Sequence, residues 1–228
     1  MKHLIPPWLN TLVLAAAFLG WAVAAHLGSA GVGSANLNTA IALAPLLLAM
    51  VLLLGSPKSG LFKALLGCLI FAGVLGLLAY FWRPLKANVP WLYYLQHLGT
   101  HLALAFFFGR TLAPGKVPLI TNLAQLLEGD HLSAQKRSYT RWVTFAWMVF
   151  FCLNALVSTV LFFVGPPAVW SFHANLLTGP LIAMMFLAEY AVRVRWLPAN
   201  ERPSLLESIR AYRQMTRPGQ QPAAETQR

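Results

Sequence analysis

Apolar residues in this chain come in blocks of about twenty, and that length limits what the chain can fold into. At 1.5 Å of rise per residue, such a block spans about 30 Å, the thickness of a hydrocarbon core. The blocks run from about Trp8 to Gly28, Asn38 to Leu54, Leu61 to Phe81, Pro90 to Phe108, Trp142 to Val164 and Ala168 to Ala191. Backbone polar groups in lipid must be satisfied within their own segment, so each block is predicted to be a helix. The expected fold is all-α: a polytopic bundle of six transmembrane helices forming one domain over residues 1–202. Composition agrees, because 58% of residues are hydrophobic and 10% charged, against about half and a quarter in soluble domains.

Small residues suggest where helices approach. Ala16, Gly20 and Ala24 are spaced by four on the first block, and Gly67, Gly73 and Gly76 mark a second close-packing face on the third. Pro45 is tolerable inside a membrane helix as a kink. Lys2 and Ala22-Val23-Ala24 imitate a signal peptide with its cleavage site, but an apolar run of about twenty residues bearing Trp8 and Trp21 favours a retained helix. Cys68 and Cys152 lie in apolar blocks without CxxC spacing and are expected to be small core residues. Gly165-Pro166-Pro167 should turn the last two blocks into an antiparallel hairpin.

Charge sets the orientation. The net charge is +11, but the basic residues sit at block ends, without an aromatic-interleaved patch, so nucleic acid is not the expected partner. With the N-terminus inside, the inner segments hold Lys2, Lys58, Lys63, Arg110, Lys116, Lys136, Arg137, Arg141 and seven arginines after the sixth block. The outer loops hold only Arg83 and Lys86. Fifteen against two predicts N-in, C-in. Two inner segments look amphipathic. Leu119, Ile120, Leu123, Leu126 and Leu127 share a face opposite Thr121, Asn122 and Gln125, with Gly129 as a stop. After Pro203, Ser204-Leu205-Leu206-Glu207 matches a capping box and opens a basic cytoplasmic helix over 203–216, before a disordered tail over 217–228. That helix could lie on anionic lipid or pack on the protein's own inner face.

Rise per residue also places polar groups in depth. His97 falls about 10 Å and His101 about 16 Å below the outer surface, with His173, Asn154 and Asn175 also in the outer half. His97, His101, Asn154 and Asn175 therefore form a candidate polar belt, with His173 above it, that should face inward. Interhelical hydrogen bonding is one role for this belt. A metal or haem site on His97, His101 and His173 is another, though no carboxylate accompanies them. A neutral pocket for a lipid or polyene headgroup, or a proton path, is the third. At the inner face, Arg110, Lys136, Arg137 and Arg141 could form a cationic mouth for a phosphate headgroup or acyl-carrier phosphopantetheine. Glu189 and Arg193, one turn apart, suit an inner-face ion pair. Asp130-His131 invites comparison with an acyltransferase His/Asp pair, but the HxxxxD spacing is absent, as are GxSxG, Walker A and HExxH.

Several stretches together resemble a known family. They are Arg83-Pro84, Gln96-His97-(x3)-His101, Phe108-Gly109-Arg110-Thr111-Leu112, Tyr139-Thr140-Arg141-(x2)-Thr144-(x2)-Trp147, Asn175-Leu176-Leu177-Thr178-Gly179-Pro180-Leu181 and Ala188-Glu189-Tyr190. Over about residues 60 to 215 the chain is similar to small bacterial multipass inner-membrane proteins. The genes of that family sit in fatty-acid-synthesis-like clusters making aryl polyenes and dialkylresorcinols. The resemblance implies an accessory role in assembly, handling or transport of a lipid-linked, polyketide-like product. Its implied partners are membrane lipids and acyl-carrier or fatty-acid-like synthase proteins. No cofactor is implied, and the family supplies no catalytic residues to carry over. The alternatives are a membrane-embedded enzyme, either an acyltransferase on His131 or a metal or haem protein, and a structural scaffold that docks soluble synthases through its C-terminal helix.

Overall fold

The computed structural model describes residues 7–54, 61–129 and 132–198. Among them every regular element is a helix. In chain order these are α1 (Pro7–Ser29), α2 (Ala35–Leu54), α3 (Leu61–Tyr80), a short α4 (Trp82–Ala87) and α5 (Val89–Gly109). A 3-10 turn over Arg110–Leu112 leads to α6 (Leu119–Glu128), and then α7 (Ala134–Val164) and α8 (Pro167–Ser171) follow. A π-helical turn over Phe172–Leu177 continues into α9 (Thr178–Trp196).

Four helical stretches are long and apolar enough to cross a membrane: Leu12–Ser29, Ala35–Leu52, Ala134–Val164 and Pro167–Trp196. The third block contributes a shorter apolar helix, Leu65–Tyr80. The fourth, α5, has 21 residues but carries Gln96, His97 and His101, which lower its hydropathy. Large apolar side chains cover the outside of the helices, among them Leu14, Leu52, Phe62, Leu69 and Val164. In water such a surface would aggregate; in lipid it is the favoured face.

The chain divides into two compact units, and the boundary runs through α5, α7 and α9. The first comprises the described residues up to 102 and those over 152–182, the second the described residues over 103–151 and from 183 onward. In the first unit, Ala25, Ala42, Val89, Tyr93, Tyr94 and Trp170 form the buried cluster. Tyr94 stacks on Phe162 with ring centroids 4.2 Å apart. The close approach of α1 to α2 is made by Ala25 and Gly28 rather than by the expected Ala16–Gly20–Ala24 stripe. A Cβ at Gly28 would lie 2.9 Å from the Asn38 side chain, whereas Gly20 faces open space. Gly67 meets Leu54, but Gly73 and Gly76 meet nothing. Spacing alone marks a smooth face; the partner helix decides which face is used.

Pro45 shows how the first unit tolerates a break. Proline has no N–H to give to the carbonyl four residues back, and its ring crowds that turn. The Ile41 carbonyl instead accepts from the Trp21 indole at 3.4 Å, and the Ala42 carbonyl accepts from the Gln96 amide at 2.7 Å. Neighbouring helices thus supply the missing donors.

In the second unit, α7 begins at Ala134, two turns earlier than the apolar block suggests. Its 31 residues span about 46 Å, so Lys136, Arg137 and Arg141 are helical rather than part of a loop. Thr121 is 4% exposed, whereas Leu123 and Leu126 are 46% and 57% exposed. The polar threonine is drawn inward because Thr140 pairs with it at 2.7 Å. Pro118 gives α6 no side-chain cap. Its first N–H groups are met instead by Thr111 Oγ1 at 3.0 Å and Thr144 Oγ1 at 3.2 Å. Gly129, at φ 89°, ends α6 as expected. Both cysteines are exposed and unbridged, a correction to their expected burial. A thiol is apolar enough that a lipid-facing position costs it little.

Candidate functional site: a cavity with a neutral polar wall

The first unit contains a cavity of about 450 Å³. Phe18 and Trp21 of α1 line it, with Pro45, Leu46 and Ala49 of α2. Its polar side is Gln96, His97, Thr100 and His101 from α5, with Asn175 and Thr178 from the segment around the π turn. These α5 residues recur at three- and four-residue spacing, so one helix face presents them together.

The π turn places the other half of the wall. Pro180 has no N–H for the Leu176 carbonyl, so an ordinary α ladder cannot run unbroken into α9. The backbone N–H of Thr178 instead reaches the carbonyl of His173, five residues back. Side chains take up the slack: Thr178 Oγ1 donates to His173 O at 3.0 Å and Asn175 Nδ2 donates to Ser171 O at 3.1 Å. Widened turns of this kind recur at functional sites. Nothing in the local pattern beyond Pro180 signalled it.

The structure brings His97, His101 and His173 together. The His97 and His101 rings lie 4.1 Å apart between centroids, and His97 and His173 5.7 Å apart. His101 Nδ1 donates to the His97 carbonyl at 2.8 Å, and His97 Nε2 meets Thr178 Oγ1 at 3.0 Å. His173 and Asn154 are both buried. Asn175 donates to Ser29 Oγ at 3.1 Å. Among the described residues no three His, Cys, Asp or Glu side chains converge in a metal-holding arrangement. The metal version of the enzyme alternative therefore has no donor set among them. Among the described residues no acid lines the cavity or joins the cluster, so the wall they form is polar and neutral.

One part of this network was not anticipated from sequence. His26 Nδ1 lies 2.7 Å from Ser171 Oγ, which lies 2.7 Å from Ser29 Oγ and also donates to the His26 carbonyl at 2.7 Å. Ser171 is completely buried, so these contacts tie the end of α1 to α8 rather than presenting a nucleophile. The residues are ordinary helix-end types, and no spacing rule links positions this far apart.

The basic residues in the second unit follow different paths. Lys136 is buried and ion-paired with Glu128, so it is withdrawn from the expected cationic mouth. Arg110 lies over the Phe107 ring, 5.0 Å from its centroid. Arg137 Nε donates to Leu132 O at 3.3 Å, and Arg141 Nη2 donates to Leu112 O at 3.2 Å, in the turn that carries Arg110. All three arginines remain exposed. Glu189 and Arg193 form the anticipated pair, with contacts of 3.0, 2.9 and 2.8 Å. Tyr139 joins them by donating to Glu189. Both ion pairs border a cavity of about 200 Å³. Asp130, His131, Lys2, Lys58 and the helix and tail assigned to 203–228 lie outside the described residues.

No protein-family model, curated protein or solved structure matches the chain.

Proposed function

We propose that this chain is a multipass protein of the bacterial inner membrane, crossing six times with both termini inside. In this reading it receives an apolar molecule with a small polar head during assembly, handling or transport of a lipid-linked product of the aryl-polyene or a related polyketide-like class. The observation that carries the reading is the cavity of about 450 Å³, mostly apolar with one neutral polar wall. That volume lies in the range of small-molecule sites, and so does the division between an apolar body and a few fixed polar groups. The orientation rests on the fifteen-to-two distribution of basic residues. The product class rests on the family resemblance. Exposed Arg110, Arg137 and Arg141 suit a phosphate headgroup or the phosphopantetheine of an acyl carrier, since guanidinium forks match phosphate geometry.

Gly179 offers a clean test. It borders the cavity, and a Cβ there would meet nothing within 4 Å. Gly179→Leu should occlude the space without disturbing its neighbours, and leucine is the better helix former. Surface display of the product should fall at least several-fold while its synthesis continues. Gly73→Leu, also in open space but away from the cavity, should leave display unchanged. Normal display in Gly179→Leu, or loss of synthesis instead of display, would refute a handling role for this cavity.

A further inference from the structure

We propose that α2, α3 and α4 form a seat for one anionic phospholipid, with an acyl chain in the groove between α2 and α3 and the phosphate at Arg83 and Lys86. The seat lies in the first unit and shares no lining residue with the cavity around His97, so it stands apart from the role proposed for that cavity.

The groove has a volume of about 490 Å³, within the range of small-molecule sites. Ala40, Leu43 and Leu47 of α2 form one wall, and Leu75, Leu78 and Ala79 of α3 form the other. Steps of three, four and seven residues put each set on one helix face. Ala40, Leu75 and Ala79 remain exposed, which leaves the groove open on one side. From Ala40 to Leu47 the wall runs about 10 Å, most of the roughly 15 Å of hydrocarbon in one leaflet. Both walls are aliphatic, the surface an acyl chain meets by dispersion contact. Trp82 lines the end nearest α4, and its indole donates to Asn36 Oδ1 at 3.1 Å, which ties α4 to the start of α2.

Aromatic residues set the depth of that end. Exposed Tyr80 and Phe81 pack edge to face with ring centroids 4.9 Å apart, and with Trp82 they make the aromatic band of a membrane–water interface. There α4 carries Arg83, exposed, and Lys86, half-buried and one turn after Trp82. The chain has no Asp or Glu over residues 1–127 or 131–188, which include every described residue of the first unit. No carboxylate of this unit can therefore pair with the two cations. A guanidinium fork matches phosphate oxygens in pairs, and an ammonium adds a point charge beside it. Choline and ethanolamine heads bring their own cation to the phosphate, whereas phosphatidylglycerol keeps a net negative charge for Arg83 and Lys86. A second copy of the chain is the poorer occupant. Two-fold packing brings the same elements together, so Arg83 and Lys86 of both copies would meet at one depth without an acid between them.

The test strips full-length protein of lipid in dodecyl maltoside and titrates it with dioleoylphosphatidylglycerol or dioleoylphosphatidylcholine, counting the first retained lipid by native mass spectrometry. The glycerol lipid should bind about tenfold more tightly than the choline lipid, the scale of one charge-assisted hydrogen bond. In Arg83→Gln/Lys86→Gln that preference should fall to about onefold while choline-lipid affinity is kept. Lys116→Gln, at an exposed cation of the second unit, should leave it unchanged. If the double variant does not fold, Arg83→Gln alone, at an exposed position, must reduce the preference several-fold. Ala79→Leu fills the groove with a good helix former and should weaken both lipids at least several-fold. Equal affinities in the native chain overturn the anionic headgroup, and a preference that survives loss of Arg83 and Lys86 overturns its placement on α4. Unchanged binding in Ala79→Leu overturns the groove as the seat of the chain. Displacement of the lipid by millimolar sn-glycerol 1-phosphate would show a site for free phosphate instead. A dimer that Ala79→Leu dissociates would show a second copy in the lipid's place.

Discussion

The two units handle buried polarity in opposite ways. The first builds its polar wall from neutral groups, His97, His101, Asn175 and Thr178, and leaves His97 Nδ1 and His173 Nε2 without partners. The second buries charge, and among the described residues each buried charge has an opposite charge in contact: Lys136 with Glu128, Glu189 with Arg193. The difference follows from cost. An unpaired neutral acceptor costs about 1–3 kcal/mol, whereas an unpaired buried ion costs more than a marginally stable protein can carry. Charges inside the second unit are therefore used up in holding the fold, and the chemistry still open to a ligand is found in the neutral wall of the first.

The strongest way to break this contrast is to uncouple the better-connected pair. Glu189 is 8% exposed and Arg193 28%, so Arg193→Leu leaves a buried carboxylate with Tyr139 as its remaining partner. The expected loss is about 3 kcal/mol, towards the low end for broken buried pairs because Arg193 reaches the surface. Replacing both by leucine should recover most of that loss. The measurement is the denaturation midpoint in mixed micelles, and a single variant as stable as the double would mean the pair contributes nothing. The Lys136–Glu128 pair should show an asymmetry of smaller size. Lys136 is 6% exposed and Glu128 30%. Glu128→Ala strands a buried ammonium at a cost of about 2 kcal/mol, whereas Lys136→Met leaves a carboxylate that can turn to water at about 1 kcal/mol or less. Equal losses would show that burial is not what distinguishes the partners.

These contrasts also explain which features could be read from the sequence. Apolar length gave the helices to within a few residues for α1, α3 and α5, because the period of a helix and the thickness of a bilayer are local constraints. Glu189–Arg193 and His97–His101 were visible for the same reason: four residues is one turn. The start of α7 was missed because Lys136-Arg137 reads as a loop until Glu128, from another helix, neutralises the lysine. Tyr139 as a third member of the Glu189 pair, and the His26–Ser29–Ser171 network, required partners brought together only by the fold. The π turn escaped because its signal is one proline whose effect falls on the residues before it. The small-residue stripe on α1 misled because Ala16 and Gly20 mark a face that another helix could use, and α2 packs on Ala25 and Gly28 instead.

The smallest effect tests whether the first unit's neutral groups serve structure wherever they do have partners. The Trp21 indole donates to the Ile41 carbonyl, the group that Pro45 leaves without its helical donor. Trp21→Phe should cost about 0.5–1 kcal/mol in the native chain, the usual worth of one interhelical hydrogen bond in a membrane protein. Pro45→Ala restores an N–H four residues after Ile41, and in that background the bond from Trp21 is redundant. Trp21→Phe should then cost only the packing difference between indole and phenyl, and the double-mutant cycle isolates the remainder as coupling. Coupling near zero would mean that the 3.4 Å contact is incidental and that Pro45 is accommodated by bending alone. Coupling of the expected size would establish that this polar group holds the fold just as the ion pairs of the second unit do.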